Sequence, residues 1–121
     1  MATYNGAHFI RAQLESIAQQ TLLPSELVVR DDASSDHTLN IVEQFASHAP
    51  FPIRIYRNAV RLGYPDNFMQ AAALTTGKWI AFCDQDDIWL SQKLERVAGT
   101  IARHSGLVLV VHSAQIVDET P

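Results

Sequence analysis

The sequence predicts an α/β domain: a mostly parallel sheet between helical layers. Strand-like and helix-like apolar patterns alternate along the chain with short polar punctuation between them. The strand-like runs end in turn residues or clustered aspartates. With 121 residues, 47% hydrophobic and 18% charged, the chain can fill one core but not two. Strands joined through helices of this length are linked by right-handed crossovers, which leave them parallel.

Taken in order, Phe9, Ile10, Leu14, Ile17 and Ala18 share one helical face, and that helix stops before Pro24. Leu27-Val28-Val29 is a β-branched run leading into Asp31-Asp32. Ser34, Ser35 or Asp36 can cap a second helix with Thr38, Ile41, Val42, Phe45 and Ala46 inward. Ile53 to Tyr56 reads as a third strand. A loop from Asn58 to Gly63 leads to a helix carrying Phe68, Met69, Ala72 and Ala73, with Gly77 as its left-handed C-terminal cap. Trp79 to Cys83 is apolar at every position and reads as a central strand covered on both faces. Ser91 is placed to cap a fourth helix with Leu94, Val97, Ala98 and Ile101 inward, and Leu107 to Val111 reads as a closing buried strand. Before Tyr4-Asn5-Gly6 stand only Met1-Ala2-Thr3, short of a ~5-residue strand, and no helix closes the chain before Pro121. On these grounds residues 1–121 read as a single domain truncated at both ends.

Composition excludes several classes of function. A net charge of −4 and the lack of any basic stripe argue against nucleic-acid or anionic-membrane surfaces. The lone cysteine, Cys83, has no disulfide partner in the chain and reads as a buried thiol. The five histidines are scattered, without zinc-ligand spacing. No run approaches the ~20 apolar residues of a membrane span. With no signal-type start, a cytoplasmic location is expected, including the inner face of the membrane.

Ligands of open parallel sheets bind outside the carboxyl ends of the strands. Three polar clusters are expected there: Thr3-Tyr4-Asn5-Gly6, Asp31-Asp32, and Asp84-Gln85-Asp86-Asp87. Two carboxylates ~5 Å apart repel by about 3 kcal/mol at an effective dielectric of 20. A bound Mg²⁺ or Mn²⁺ relieves that repulsion and can grip a diphosphate, while a solvated capping turn relieves it by splaying the side chains. Asp31-Asp32 can accept from a pyrimidine imide or a ribose hydroxyl, or can form an Asx-type turn before Ser34. Tyr4 can stack on a base or pack locally. Gly6 and Gly63 suit positive φ, Trp89 suits a core anchor, and Lys93 and Arg61 suit solvent.

Met1 to Gly6, Asp31 to Thr38, Gly77 to Ile80 and Phe82 to Leu90 together resemble the family 2 glycosyltransferases. The last stretch is similar to rhamnosyltransferase-like bacterial members that build surface polysaccharides. The resemblance implies a GT-A nucleotide-binding domain that takes a UDP- or dTDP-linked sugar and transfers it with inversion to a saccharide or lipid-linked saccharide. It implies that Tyr4 stacks on the base, with Ala2 and Thr3 lining its pocket. Asp31 would accept from the base N3–H, with Asp32 supporting it. Asp84 would face the ribose or diphosphate, and Asp86, with Asp87 nearby, would hold Mn²⁺ or Mg²⁺. The family's general base lies well beyond the D-x-D motif; Asp118 and Glu119 come too early for it, so residues 1–121 are expected to bind nucleotide weakly and not to transfer sugar alone. Pro65-Asp66 stand where relatives often carry a base. The strongest reading from another class is a phospho-receiver module, but the acidic pair follows the second strand-like run and no Lys-Pro follows Val111-His112-Ser113.

Overall fold

The computed structural model describes residues 1–116. Its elements are β1 (Ala2–Thr3), α1 (Ile10–Ala18), β2 (Leu27–Asp31), α2 (Thr38–Ala46), β3 (Ile53–Arg57), α3 (Tyr64–Ala73) and α4 (Lys93–Arg103). The strands form one parallel sheet in the order β1-β2-β3, with Thr3 opposite Asp31 and Asp31 opposite Arg57. That register brings the ends of all three strands to one rim.

Strand alternation divides the helices between two layers. Leu27 and Val29 of β2 join Ile10, Leu14 and Ile17 of α1 and Val42 and Phe45 of α2 in the core. Arg30, next after Val29 and so on the opposite face, lies toward α3, where its guanidinium bonds Gln70 and its carbonyl accepts from Asn67. The helical face expected of α1 is the observed one, except that Phe9 at its start is exposed. In α2 the buried positions are Thr38, Val42 and Phe45, and the cap comes from Asp36, whose carboxylate accepts the Thr38 amide.

Four local expectations are corrected. Trp79 to Cys83 does not form a strand, and Trp79, Ile80 and Phe82 are exposed, with Cys83 alone buried. Leu107 to Val111 is not a strand either, and Val108 is 91% exposed. A strand is stabilised by a ladder partner of comparable length; of the two sheet edges, β1 offers only two residues, and neither run pairs with it or with β3. The two runs instead border an apolar cleft of about 970 Å³, which the half-buried Leu94, Val97, Ala98 and Ile101 face of α4 also lines. Gly77 is not a left-handed cap: α3 ends at Ala73, and the glycines with positive φ are Gly63 and Gly106. Ser91 does not cap α4; the Gln20 side chain accepts the Leu94 amide instead.

One tie beneath the sheet gives a pH-dependent prediction. Glu26 accepts from the Thr76 amide and hydroxyl and from Arg54, joining the start of β2 to β3 and to the segment after α3. Its carboxyl is pulled from 4.5 down to about 2, first by the Thr76 amide, then by the Thr76 hydroxyl and Arg54. A carboxylate whose folded pKa is depressed stabilises the fold above its unfolded value, and that contribution fades as pH falls toward the folded one. Glu26→Gln is therefore expected to lower the urea midpoint at neutral pH, with the gap from the parent chain closing as pH drops from 4.5 towards 2. An equal gap at both ends of that window would contradict the assignment.

Candidate functional site

The turn after β1 is held by side chains from elsewhere in the chain. Four successive amides each find a side-chain acceptor: Tyr4 on Gln85, Asn5 on Ser34, Gly6 on Thr38 and Ala7 on Asp36. Buried or crowded N–H groups must be paired, so this arrangement fixes the turn as firmly as a ladder would. Asn5 takes φ +46° and returns its side-chain oxygen to the Ser35 amide. The Tyr4 ring is left 36% exposed, and the Arg61 guanidinium sits over it, 3.9 Å from the centroid. Arg61 is itself exposed, as a loop arginine facing solvent should be, and also lies over the tyrosine as a cation stacked on an aromatic face.

Asp31 and Asp32 lie at the end of β2, both buried. The Asp31 carboxylate accepts from the Thr3 hydroxyl at 2.9 Å, the Ser34 amide at 2.8 Å and the Ser34 hydroxyl. This is the Asx-type turn weighed above, with Ala33 at φ +61° inside it. Arg57 stands 3.9 Å from Asp31 on the solvent side. The Asp32 carboxylate accepts from the Asn58 side chain and from the Leu62 and Gly63 amides. Burial pushes its carboxyl up, but the Leu62, Asn58 and Gly63 donors together outweigh burial and hold it below the usual range. Both aspartates therefore shape the rim through internal partners: Asp31 locks the β1 and β2 turns together, and Asp32 folds the 58–63 loop that carries Arg61. Thr3 and Ala2 are buried in β1, and the Thr3 carbonyl is taken by the Asp32 amide.

The acidic turn lies beside the tyrosine turn. Gln85 bonds both the amide and the carbonyl of Tyr4, at 2.9 and 3.0 Å. Asp84, Asp86 and Asp87 point into solvent. Partial burial is the first cause that raises the Asp84 carboxyl above its ordinary value, followed by the charges of Asp87 and Asp86. Crowded carboxylates that cannot escape one another are the chemistry a hard divalent cation relieves. Among the described residues no three His, Cys, Asp or Glu groups already enclose a metal. One or two carboxylates completed by diphosphate oxygens is, however, the usual way Mg²⁺ is held, and the exposed Asp86 with its neighbours fits that mode.

What anchors this segment without a strand is a polar stripe on α1. Gln13 donates to the Cys83 sulfur, Ser16 accepts the Trp89 amide, and Gln20 bonds the Leu90 carbonyl and Leu94 amide. Trp89 is a buried core anchor, as its sequence context suggests, with the Lys93 ammonium 3.8 Å from its ring centroid. Cys83 is buried, and burial pushes its thiol up to about 11. Gln85, Arg61, Asn58 and the α1 stripe were not foreseen from the sequence. A spacing of three and four residues links Gln13, Ser16 and Gln20 on one helical stripe, which was the available signal. Asp118 and Glu119 lie outside the described residues.

Comparison with known proteins gives this rim its family. The family model described as Glycosyl transferase family 2 matches residues 1–120. The dTDP-rhamnosyl transferase RfbG of Shigella flexneri is 38% identical over 99 residues, covering 78% of this chain and 34% of that protein. The Escherichia coli UDP-Glc:alpha-D-GlcNAc-diphosphoundecaprenol beta-1,3-glucosyltransferase WfgD is 38% identical over 95 residues, covering 78% of this chain and 36% of that one. Among solved structures, S. aureus TarS 1-349 in complex with UDP superposes with a TM-score of 0.77 at 31% identity, over 85% of this chain and 31% of its own. The mannosyltransferase PcManGT of Pyrobaculum calidifontis, in complex with GDP-Man and Mn2+, gives 0.75 at 27% identity, over 86% and 31%. The chain spans about a third of the length of the curated relatives it matches. Its fold is the GT-A nucleotide-binding type, and no helix among the described residues is long and apolar enough to cross a membrane. With nearly every residue inside the family model and the tyrosine and acidic turns joined at one rim, the chain belongs to glycosyl transferase family 2.

Proposed function

We propose that this chain forms the donor-binding part of an inverting glycosyltransferase that takes a UDP- or dTDP-linked sugar for surface polysaccharide synthesis. The single observation that carries this reading is the Tyr4–Gln85 junction, which sets an exposed aromatic face beside an exposed row of carboxylates. A base on Tyr4 would leave the diphosphate directed along the rim toward Asp84 and Asp86. Arg61, stacked on Tyr4, supplies the positive charge that Asp66 does not. The relatives named for dTDP-rhamnosyl and UDP-Glc transfer support a pyrimidine nucleotide, and the second also supports a lipid-linked saccharide acceptor.

Asp86, with Asp87, would hold Mn²⁺ or Mg²⁺, whose chemistry is to neutralise the departing nucleoside diphosphate, and Asp84 would face the ribose or diphosphate. The chain's own part is to bind and orient the donor. Tyr4 and Arg61 fix the base end, Asp32 and Asn58 hold the loop that carries Arg61, and Gln85 holds the acidic turn against Tyr4. The acceptor hydroxyl would attack the anomeric carbon from the face opposite the nucleotide, giving inversion. Donor binding is the property that the residues of this rim would set, and it is the one to measure.

Calorimetric titration with UDP and dTDP in Mn²⁺, with GDP as the control, tests the reading. Saturable binding of a pyrimidine nucleotide is expected, and Tyr4→Ala should weaken it about tenfold, at the low end of the stacking range, while Tyr4→Phe keeps it. No binding of either pyrimidine nucleotide would sink the proposal.

A further inference from the structure

Gln85 stands between the two acids of the D-x-D motif, a place that calls for no particular side chain if the residue is only a spacer. Its carboxamide nevertheless has the most specific geometry at the rim. The oxygen accepts the Tyr4 amide and the nitrogen donates to the Tyr4 carbonyl, which is the two-bond exchange a strand neighbour makes in a ladder. These bonds connect residues 81 apart in sequence. Among the described residues, no other hydrogen bond joins the 84–87 turn to the Tyr4 turn.

A second observation concerns the same carboxamide. Gly6 has no positive φ to require glycine, but a Cβ built there would overlap the Gln85 amide carbon, oxygen and nitrogen. The tyrosine turn leaves out a side chain at the one position where the carboxamide passes. The exposures agree: Gln85 is half-buried, while Asp84 and Asp86 on either side are exposed. With the middle residue turned inward, its neighbours are presented outward.

We propose that Gln85 is a positioning residue whose carboxamide clasps the Tyr4 peptide and so fixes the span between the base-stacking ring and the flanking carboxylates. This rests on the nucleotide-sugar reading above. A nucleoside diphosphate meets the protein at both ends of that span, the base on Tyr4 and the diphosphate at the acidic turn. Both contacts form together only if the span is held. A nucleoside without phosphates uses one end and is indifferent to the other. Loss of the clasp therefore separates the two ligands: uridine binding stays and the metal-assisted gain from the diphosphate falls. A general loosening of the fold would weaken both alike.

The test compares the 121-residue chain with Gln85→Ala and Gln85→Glu. The glutamate keeps an acceptor for the Tyr4 amide but sets a second oxygen against the Tyr4 carbonyl. Calorimetry with uridine, and with UDP plus Mn²⁺, is paired with hydrogen exchange at the Tyr4 amide in the metal-free protein. In both variants uridine affinity is expected to hold within about twofold, while UDP·Mn²⁺ affinity falls about tenfold, or about 1.4 kcal/mol. The Tyr4 amide is expected to be protected in the parent chain and to lose that protection in Gln85→Ala. A Tyr4 amide that exchanges equally fast in both proteins would overturn the clasp. So would UDP·Mn²⁺ affinity that does not change, or uridine and UDP affinities that fall together. A parent chain that binds neither uridine nor UDP would instead sink the nucleotide reading, and this inference with it; a still-protected Tyr4 amide would mark which of the two had failed.

Discussion

Asp31→Ala is expected to lower the unfolding free energy by about 3 kcal/mol, a large share of the 5–15 kcal/mol typical of a domain. The carboxylate is fully buried and satisfies the Ser34 amide and two hydroxyls, those of Thr3 and Ser34. Hydroxyl protons can rotate to other acceptors, but the Ser34 amide cannot, and an unpaired buried N–H costs about 1–3 kcal/mol. The Ser34 hydroxyl also receives the Asn5 amide, so the loss spreads from the end of β2 into the tyrosine turn. Arg57 adds little: it is 58% exposed and stands 3.9 Å away, where solvent screens the pair. Asp31→Asn keeps one acceptor and should cost less. Urea unfolding read by far-UV circular dichroism measures both. A loss under about 1 kcal/mol for the alanine variant would show that this carboxylate is not a strut. It would then be free to bind the base N3–H as the family resemblance implies.

That contrast shows what the sequence made legible. Leu27-Val28-Val29, Ile53 to Tyr56 and the faces of α1 and α2 follow local periodicity, and local periodicity decided them in the structure too. The three polar clusters were placed at one rim because strands of a parallel sheet end together, and the Thr3–Asp31 and Tyr4–Gln85 contacts join them there. Trp79 to Cys83 misled because an apolar run reports a preference for burial, not the presence of a ladder partner. Its anchoring comes from Gln13, Ser16 and Gln20, polar residues that a hydrophobic pattern counts as background. Gln85 was invisible for a related reason: its partner is a backbone group, and backbone groups are the same at every position. The acidic residues were legible as a cluster, but the sequence could not divide them into struts and free groups. Asp31 and Asp32 saturate on donors supplied by Ser34, Asn58 and the 62–63 amides, whereas the carboxylates of Asp84, Asp86 and Asp87 find none among the described residues.

Asp86→Ala should therefore behave in the opposite way to Asp31→Ala, leaving the fold alone and removing the metal response. The Asp86 side chain is exposed, so its truncation strands no partner. Its charge is one of the causes, after burial and Asp87, that keep the Asp84 carboxyl above its ordinary value of 3.8. A carboxyl whose folded pKa is raised is disfavoured in its charged form, so near neutral pH this group opposes folding and the penalty is relieved as pH falls toward 3.8. Removing Asp86 relieves part of it at every pH above that window. The melting temperature is expected to stay the same or rise slightly. Mn²⁺ should no longer tighten UDP, a loss of about a hundredfold, or roughly 2.7 kcal/mol, if one carboxylate of a two-carboxylate site is deleted. Melting curves and UDP titrations with and without Mn²⁺ read the two effects separately. A variant that still gains UDP affinity from Mn²⁺ would remove Asp86 from the metal site, and one that unfolds would place it among the struts with Asp31. The expected pairing of an unharmed fold with a lost metal response follows from the repulsion itself: carboxylates that repel one another in the turn are those a cation and a diphosphate have most to gain by joining.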